Sequence, residues 1–144
     1  MAAGLSGAGD AACSVDCNKY SITLKGTTTE GDSTLFTYGV TVQSGTCGLS
    51  HWVLSLPACA SEGQILEAGP GGWEYGTWKY GKKTIHGIKF DTGLEQPKAG
   101  SATKEYYLRL AGPYWNADQG TAILKASTGT CEMEIESPSC PVTS

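Results

Sequence analysis

Apolar side chains recur at every second position through much of this chain, and that period leaves few folds open. Tyr20, Ile22 and Leu24 alternate with Ser21, Thr23 and Lys25. Phe36, Tyr38, Val40 and Val42 alternate with Thr37, Gly39 and Thr41. Trp52, Leu54 and Leu56 alternate with His51, Val53 and Ser55, and Pro57 stops the run. The same beat returns at His86, Ile88 and Phe90, at Tyr106, Leu108 and Leu110, in a short run over 122–126, and at Cys131, Met133 and Ile135. A strand points successive side chains to opposite faces, so each run reads as a strand with one face on a core and one in water. No window carries a helical i, i+3, i+4, i+7 stripe over three turns.

Turn residues separate the runs. TTTEGDS at 27–33, Ser44–Gly48, the Gly69–Gly72 loop, Asp91–Gly93 and Gln96–Gly100 are each rich in Gly, Pro, Asp or Ser. Turns every 8–12 residues predict about eight or nine short strands in an all-β, antiparallel β-sandwich of jelly-roll or immunoglobulin-like type. Residues 60–72 read as a loop carrying Ile65 and Leu66. At 144 residues the chain is one domain, large enough to bury a core of its own. Residues 1–12 read as a flexible N-terminal arm and 13–144 as a single sandwich domain.

Six cysteines stand at Cys13, Cys17, Cys47, Cys59, Cys131 and Cys140. An even count without a C-x-x-C pair points to disulfides and an oxidising compartment, whereas a zinc site needs paired ligands at short spacing. Fifteen pairings satisfy six cysteines. The expected location is extracellular or at the cell surface. Residues 1–12 lack the basic and apolar regions of a signal peptide, which leaves two readings: Met1 is an addition to a mature, trimmed chain, the favoured one, or the protein leaves the cell without a cleaved signal. Net charge is −4, and no cluster of Lys and Arg marks a phosphate-binding face, which argues against nucleic acid. No apolar stretch is long enough to span a bilayer as a helix.

The segment Cys47-Gly-Leu-Ser50-His51-Trp52-Val53-Leu54-Ser55-Leu56-Pro57-Ala58-Cys59, with Gly87-Ile88-Lys89-Phe90-Asp91-Thr92-Gly93 and Ser137-Pro138-Ser139-Cys140, resembles a secreted domain of bacterial and some algal surface proteins. That group shares an SHWVL-x-LP-x-C core, a GIK-aromatic-D segment and a terminal P-x-C. The resemblance covers roughly 13–141. It implies an extracellular β-rich module and brings no catalytic residue with it.

Candidate chemistry is sparse. His51 and His86 are the only histidines. Ser50 and His51, as neighbours on a strand, are expected to face apart and so not to form a nucleophile–base pair. His51 reads as a rim residue and His86 as half-buried. Glu132, Glu134 and Glu136 share one strand face and read as a solvated face that guards an edge strand. Glu30-Gly31-Asp32 and the Asp91–Glu95 turn read as turns rather than calcium loops. No cofactor or metal site is expected.

The aromatic residues are more suggestive. Trp73, Tyr75, Trp78 and Tyr80 fall within eight positions, and Tyr114 and Trp115 form a second pair. Trp73 and Tyr75 have one strand parity and Trp78 and Tyr80 the other, so a continuous strand would turn the two pairs to opposite faces. All six are candidates for a ligand or partner platform, and the same residues can fill the core between two sheets, which is the favoured expectation. The chain is therefore expected to be a non-catalytic surface protein with a structural or adhesive role, including a self-assembling fibre subunit, with carbohydrate binding through exposed Trp and Tyr as the alternative. Its expected partners are copies of itself or a surface glycan, with no nucleic acid and no membrane insertion. In the fibre form, the arm would pair with a neighbour's sheet edge and Cys13 or Cys17 would lock the contact.

Overall fold

A computed structural model of the chain describes residues 13–127 and 129–141. The expected arm at 1–12 lies outside the described residues. Among the described residues nine strands form: β1 (Tyr20–Glu30), β2 (Ser33–Gln43), β3 (His51–Ser55), β4 (Ile65–Gly69), β5 (Trp73–Tyr80), β6 (Lys83–Phe90), β7 (Ser101–Ala111), β8 (Asn116–Ala126) and β9 (Gly129–Ser139). They make two antiparallel sheets, one in the order β1-β2-β7-β4 and the other β9-β8-β3-β6-β5. Three hairpins, β1–β2, β5–β6 and β8–β9, supply six of the strands. The three remaining strands cross alone between the sheets, β3 to the middle of one and β7 to the middle of the other.

The alternating runs place the core. Phe36, Tyr38, Val40 and Val42 of β2 and Tyr106, Leu108 and Leu110 of β7 face Trp52 and Leu54 of β3, Ile88 and Phe90 of β6, and Ala122 and Leu124 of β8. Polar residues on the opposite parity cover the outer face of the four-stranded sheet. There Lys25 lies across Gly39 to pair with Glu105 at 2.9 Å. An added Cβ at Gly39 would stand 3.1 Å from the Lys25 stem, so the missing side chain makes that crossing possible.

The expected turn at 27–33 is shorter than its composition suggests. β1 continues through Thr27–Glu30 and only Gly31–Asp32 turns, with Gly31 at φ 59°. That left-handed residue at the first central position suits a two-residue hairpin loop. Thr27–Thr29 show no alternation because β1 is an edge strand whose distal half is exposed on both faces. Residues 65–69, expected in a loop, form β4 along the far edge of the same sheet. The run at 122–126 is the end of a longer strand that starts at Asn116.

All six cysteines pair within the chain: Cys13–Cys47, Cys17–Cys131 and Cys59–Cys140. No thiol is left for a bridge between chains, which removes the covalent lock expected of the fibre form.

Candidate functional site

The β5–β6 hairpin does not stay in the plane of its sheet. Trp52 of β3 is level with Phe90, so His51 lies beyond the Phe90 end of β6, whereas Tyr80 pairs with Lys83 at the opposite end. Along a straight ribbon those two levels are about 26 Å apart. Yet the Tyr80 hydroxyl is 2.9 Å from His51 Nε2, and Lys83 Nζ is 2.9 Å from Glu132 of β9. The distal half of the hairpin, 77–86, therefore curls back over the outer face of the five-stranded sheet. Beneath it Val53, Ile85 and Ile123 form a second small core, with Trp78 and Tyr80 packed on it half-buried. The flap's other face carries Thr77, Lys79, Thr84 and His86, all exposed.

Gly76 and Gly87 pair directly across the ribbon at the base of this curl, where Leu56 N still donates to the His86 carbonyl. Both have the parity of Trp78 and Ile85, so the concave side of the bend holds no side chain at that rank. Gly87 has a further reason to be glycine, because an added Cβ would strike the Leu54 carbonyl of β3.

The opposite parities expected for the β5 aromatic residues are present. Trp73 and Tyr75 pack half-buried against the main core, and Trp78 and Tyr80 against the small one. Each tyrosine also holds a histidine. His51 has its pKa lowered, by burial first and then by Lys89 and Lys125. Neutral His51 accepts from the Tyr80 hydroxyl at Nε2, and its Nδ1 faces Ser50 Oγ at 3.5 Å. Ser50 Oγ itself donates to the Lys125 carbonyl at 2.9 Å, so its proton points away from the imidazole. Ser50 and His51 are thus closer than strand neighbours should be, because β3 begins only at His51 and Ser50 stands outside the pleat. His86, expected to be half-buried, is exposed on the flap. Tyr75 donates to the Ala60 carbonyl and accepts from His86 Nε2, and Thr77 donates to Nδ1.

The second aromatic pair divides. Trp115 is 5% exposed and donates through Nε1 to the Ala111 carbonyl, so it belongs to the core. Tyr114 is 75% exposed. It stands over a mainly apolar cleft of about 250 Å³ lined by Cys59, Gln64, Pro113, Trp115 and Pro141 among others. The loop that carries it is tied to the β1–β2 hairpin. Gly112 N donates to the Asp32 carbonyl, Thr34 Oγ1 to the Gly112 carbonyl and Thr29 Oγ1 to the Pro113 carbonyl. The Cys59–Cys140 bridge fixes the other wall. Nothing in the sequence distinguishes Tyr114 from Trp115 except parity, which fails in an irregular loop.

The three glutamates of β9 lie on the outer face of an edge strand, where Glu132 pairs with Lys83 and Glu134 accepts from Gln119. Among the described residues no group of three His, Cys, Asp or Glu converges as metal ligands, and no helix is long and apolar enough to cross a membrane. The segments 47–59, 87–93 and 137–140 meet in space: β3 pairs with β6, and Cys59 bridges to Cys140. Comparison of the chain with protein-family models, with curated proteins and with solved structures gives no match.

Proposed function

We propose that this chain is a non-catalytic domain of the cell exterior with a structural and adhesive role, and that it adheres to surface glycan through Tyr114. The observation that carries this reading is the position of Tyr114, an aromatic ring 75% exposed on a seat braced by three hydrogen bonds and a disulfide. One face of an aromatic ring beside an apolar wall suits the C–H face of a pyranose, and holding the ring still lowers the entropy lost on binding. Gln64 spends its Oε1 on Ser61 and keeps its amide N–H groups for sugar hydroxyls.

An extracellular location is supported by three disulfides that use every cysteine. A non-catalytic role is supported by the histidines, whose ring nitrogens are engaged within the chain, and by Ser50, whose proton is committed to a carbonyl.

The test is retention of the oxidised protein on a panel of insoluble glycans. Tyr114→Ala is expected to weaken retention several-fold, to about tenfold, without lowering the unfolding temperature. Equal retention of Tyr114→Ala and the parent, or no retention on any glycan, would overturn the adhesive reading.

A further inference from the structure

We propose that the β5–β6 hairpin is exchanged between copies of this chain, the tip of one molecule covering the outer sheet face of another. The protein would then self-associate through the contact it uses to close on itself. The proposal goes beyond the glycan contact at Tyr114 and stands whether or not that contact binds anything.

The flap contact is an interface between two separately built surfaces. Trp78, Tyr80, Lys83 and Ile85 come from the hairpin, and His51, Val53, Ile123 and Glu132 come from the body of the sheet. Apolar meets apolar at the centre, with the Tyr80–His51 hydrogen bond and the Lys83–Glu132 ion pair at the rim. The Leu56 N–H bond to the His86 carbonyl lies at the base of the hairpin's free part and can stay in place in either form. A second copy presents the same body surface, so no new complementarity is needed for the hairpin of one molecule to lie on another.

The curl of the hairpin beyond the Gly76–Gly87 pair makes the contact internal. Straightening it gives an ordinary two-stranded ribbon, with the tip about 13–17 Å beyond the glycine pair. β5 is the outermost strand of its sheet, so no further strand blocks that movement. An opened hairpin would expose Trp78, Ile85, Val53 and Ile123 together, an apolar surface that water disfavours and that a second copy's matching surface covers. Closed and exchanged forms share their contacts and differ in the bend and the entropy of association. Reciprocal exchange closes as a dimer, and one-way exchange runs on as a chain. Neither route needs a free cysteine, in keeping with six paired ones.

Charge reversal in trans tests this directly. Lys83 and Glu132 are about half-exposed, at 45% and 51%, so neither Lys83→Glu nor Glu132→Lys threatens the core. Each variant alone sets like charges against each other at the rim. In an exchanged heterodimer both rim pairs are restored, Glu against Lys in one half and Lys against Glu in the other. The two variants, one carrying a mass tag, are concentrated together, warmed to just below unfolding, cooled, and read by native mass spectrometry. Random pairing of equal amounts gives heterodimer at about twice either homodimer, so heterodimer at about sixfold or more the level of either homodimer supports exchange. Heterodimer at about the random twofold level or below, from two folded variants, overturns it. A second variant, Gly76→Val, favours the straight ribbon through its β-branched side chain. It is expected to raise the oligomer fraction several-fold in size-exclusion chromatography with light scattering. A monomer at every concentration, with native circular dichroism, counts against exchange. So do oligomers that persist undiminished when Tyr80–Lys83 is replaced by a shorter turn.

Discussion

Trp52 is the residue on which the two sheets meet. It is fully buried, stacks on Phe90 at 4.7 Å between ring centroids, and takes Tyr38 and Tyr106 edge-on at 5.9 and 5.4 Å. The two tyrosines reach past it to carbonyls at the margins, Tyr38 to Glu136 and Tyr106 to Thr92. Trp52→Ala removes the centre of that box and is expected to cost about 3–5 kcal/mol in denaturant unfolding, against about 1–2 kcal/mol for Trp52→Phe, which keeps a ring on Phe90. The same residues fix how stability depends on pH. Burial raises the hydroxyl pKa of Tyr38, and that of Tyr106 to about 12. The unfolded chain therefore releases these protons first, and stability falls as pH rises above about 10. His51 acts on the acid side. Its folded pKa is lowered, by burial first, so the unfolded chain binds that proton more tightly. Its contribution is complete above about pH 6.5 and is lost as pH falls through the folded value. Thermal unfolding midpoints at pH 8 and pH 5.5 measure the acid limb. His51→Gln, which keeps an acceptor for Tyr80 and does not titrate, is expected to flatten it, and an unchanged slope would assign the limb to other groups.

At the scale of the element, the hairpin bend separates two glycines that look equivalent in sequence. A Cβ at Gly76 would sit 3.6 Å from the Trp78 indole, in ordinary contact. At Gly87 it would meet the Leu54 carbonyl, and only parting β3 from β6 makes room. Gly87→Ala is thus expected to destabilise by about 2–3 kcal/mol or more and Gly76→Ala by under about 1 kcal/mol, compared by denaturant titration. This pair also marks how far the sequence can be read. Period two assigns Trp78 and Ile85 to the face opposite Trp73 and Ile88, and the strands bear that out. It carries no information on curvature, so the flap, the Tyr80–His51 bond and the covered state of Trp78 were not legible. Alternation also fails where both faces meet water, which hid the outer half of β1. It fails again at β4, whose five residues are too few to show a period. Tyr114 escaped for a third reason: outside a strand, neighbouring residues have no fixed relation to the core.

The disulfides act at the scale of the whole molecule, and their pairing is as invisible to sequence as the bend. Cys17, just before β1, is bonded to Cys131 on β9, and so joins the paired margins of the two sheets. Cys13 is bonded to Cys47 in the β2–β3 crossing, and Cys59 in the β3–β4 crossing is bonded to Cys140 after β9. Both ends of the domain are thereby fastened to the two crossings that flank β3. The bridged residues are separated by 34, 114 and 81 positions for Cys13–Cys47, Cys17–Cys131 and Cys59–Cys140. Closing a longer loop removes more freedom from the unfolded chain, by about 3.8 kcal/mol for the first bridge and about 4.5–5 kcal/mol for the other two. Replacing both cysteines of a bridge by serine is accordingly expected to lower stability least for Cys13–Cys47. Native strain and solvation reorder such series, so the ranking tests whether loop entropy dominates here. The Cys59–Cys140 pair separates stability from function. Its removal also frees one wall of the Tyr114 cleft, whereas loss of Cys17–Cys131 leaves that cleft intact. If the cleft binds glycan, the Cys59→Ser/Cys140→Ser protein should bind more weakly than the Cys17→Ser/Cys131→Ser protein at a temperature where both are folded. Equal affinities would place the adhesive contact elsewhere on the sandwich.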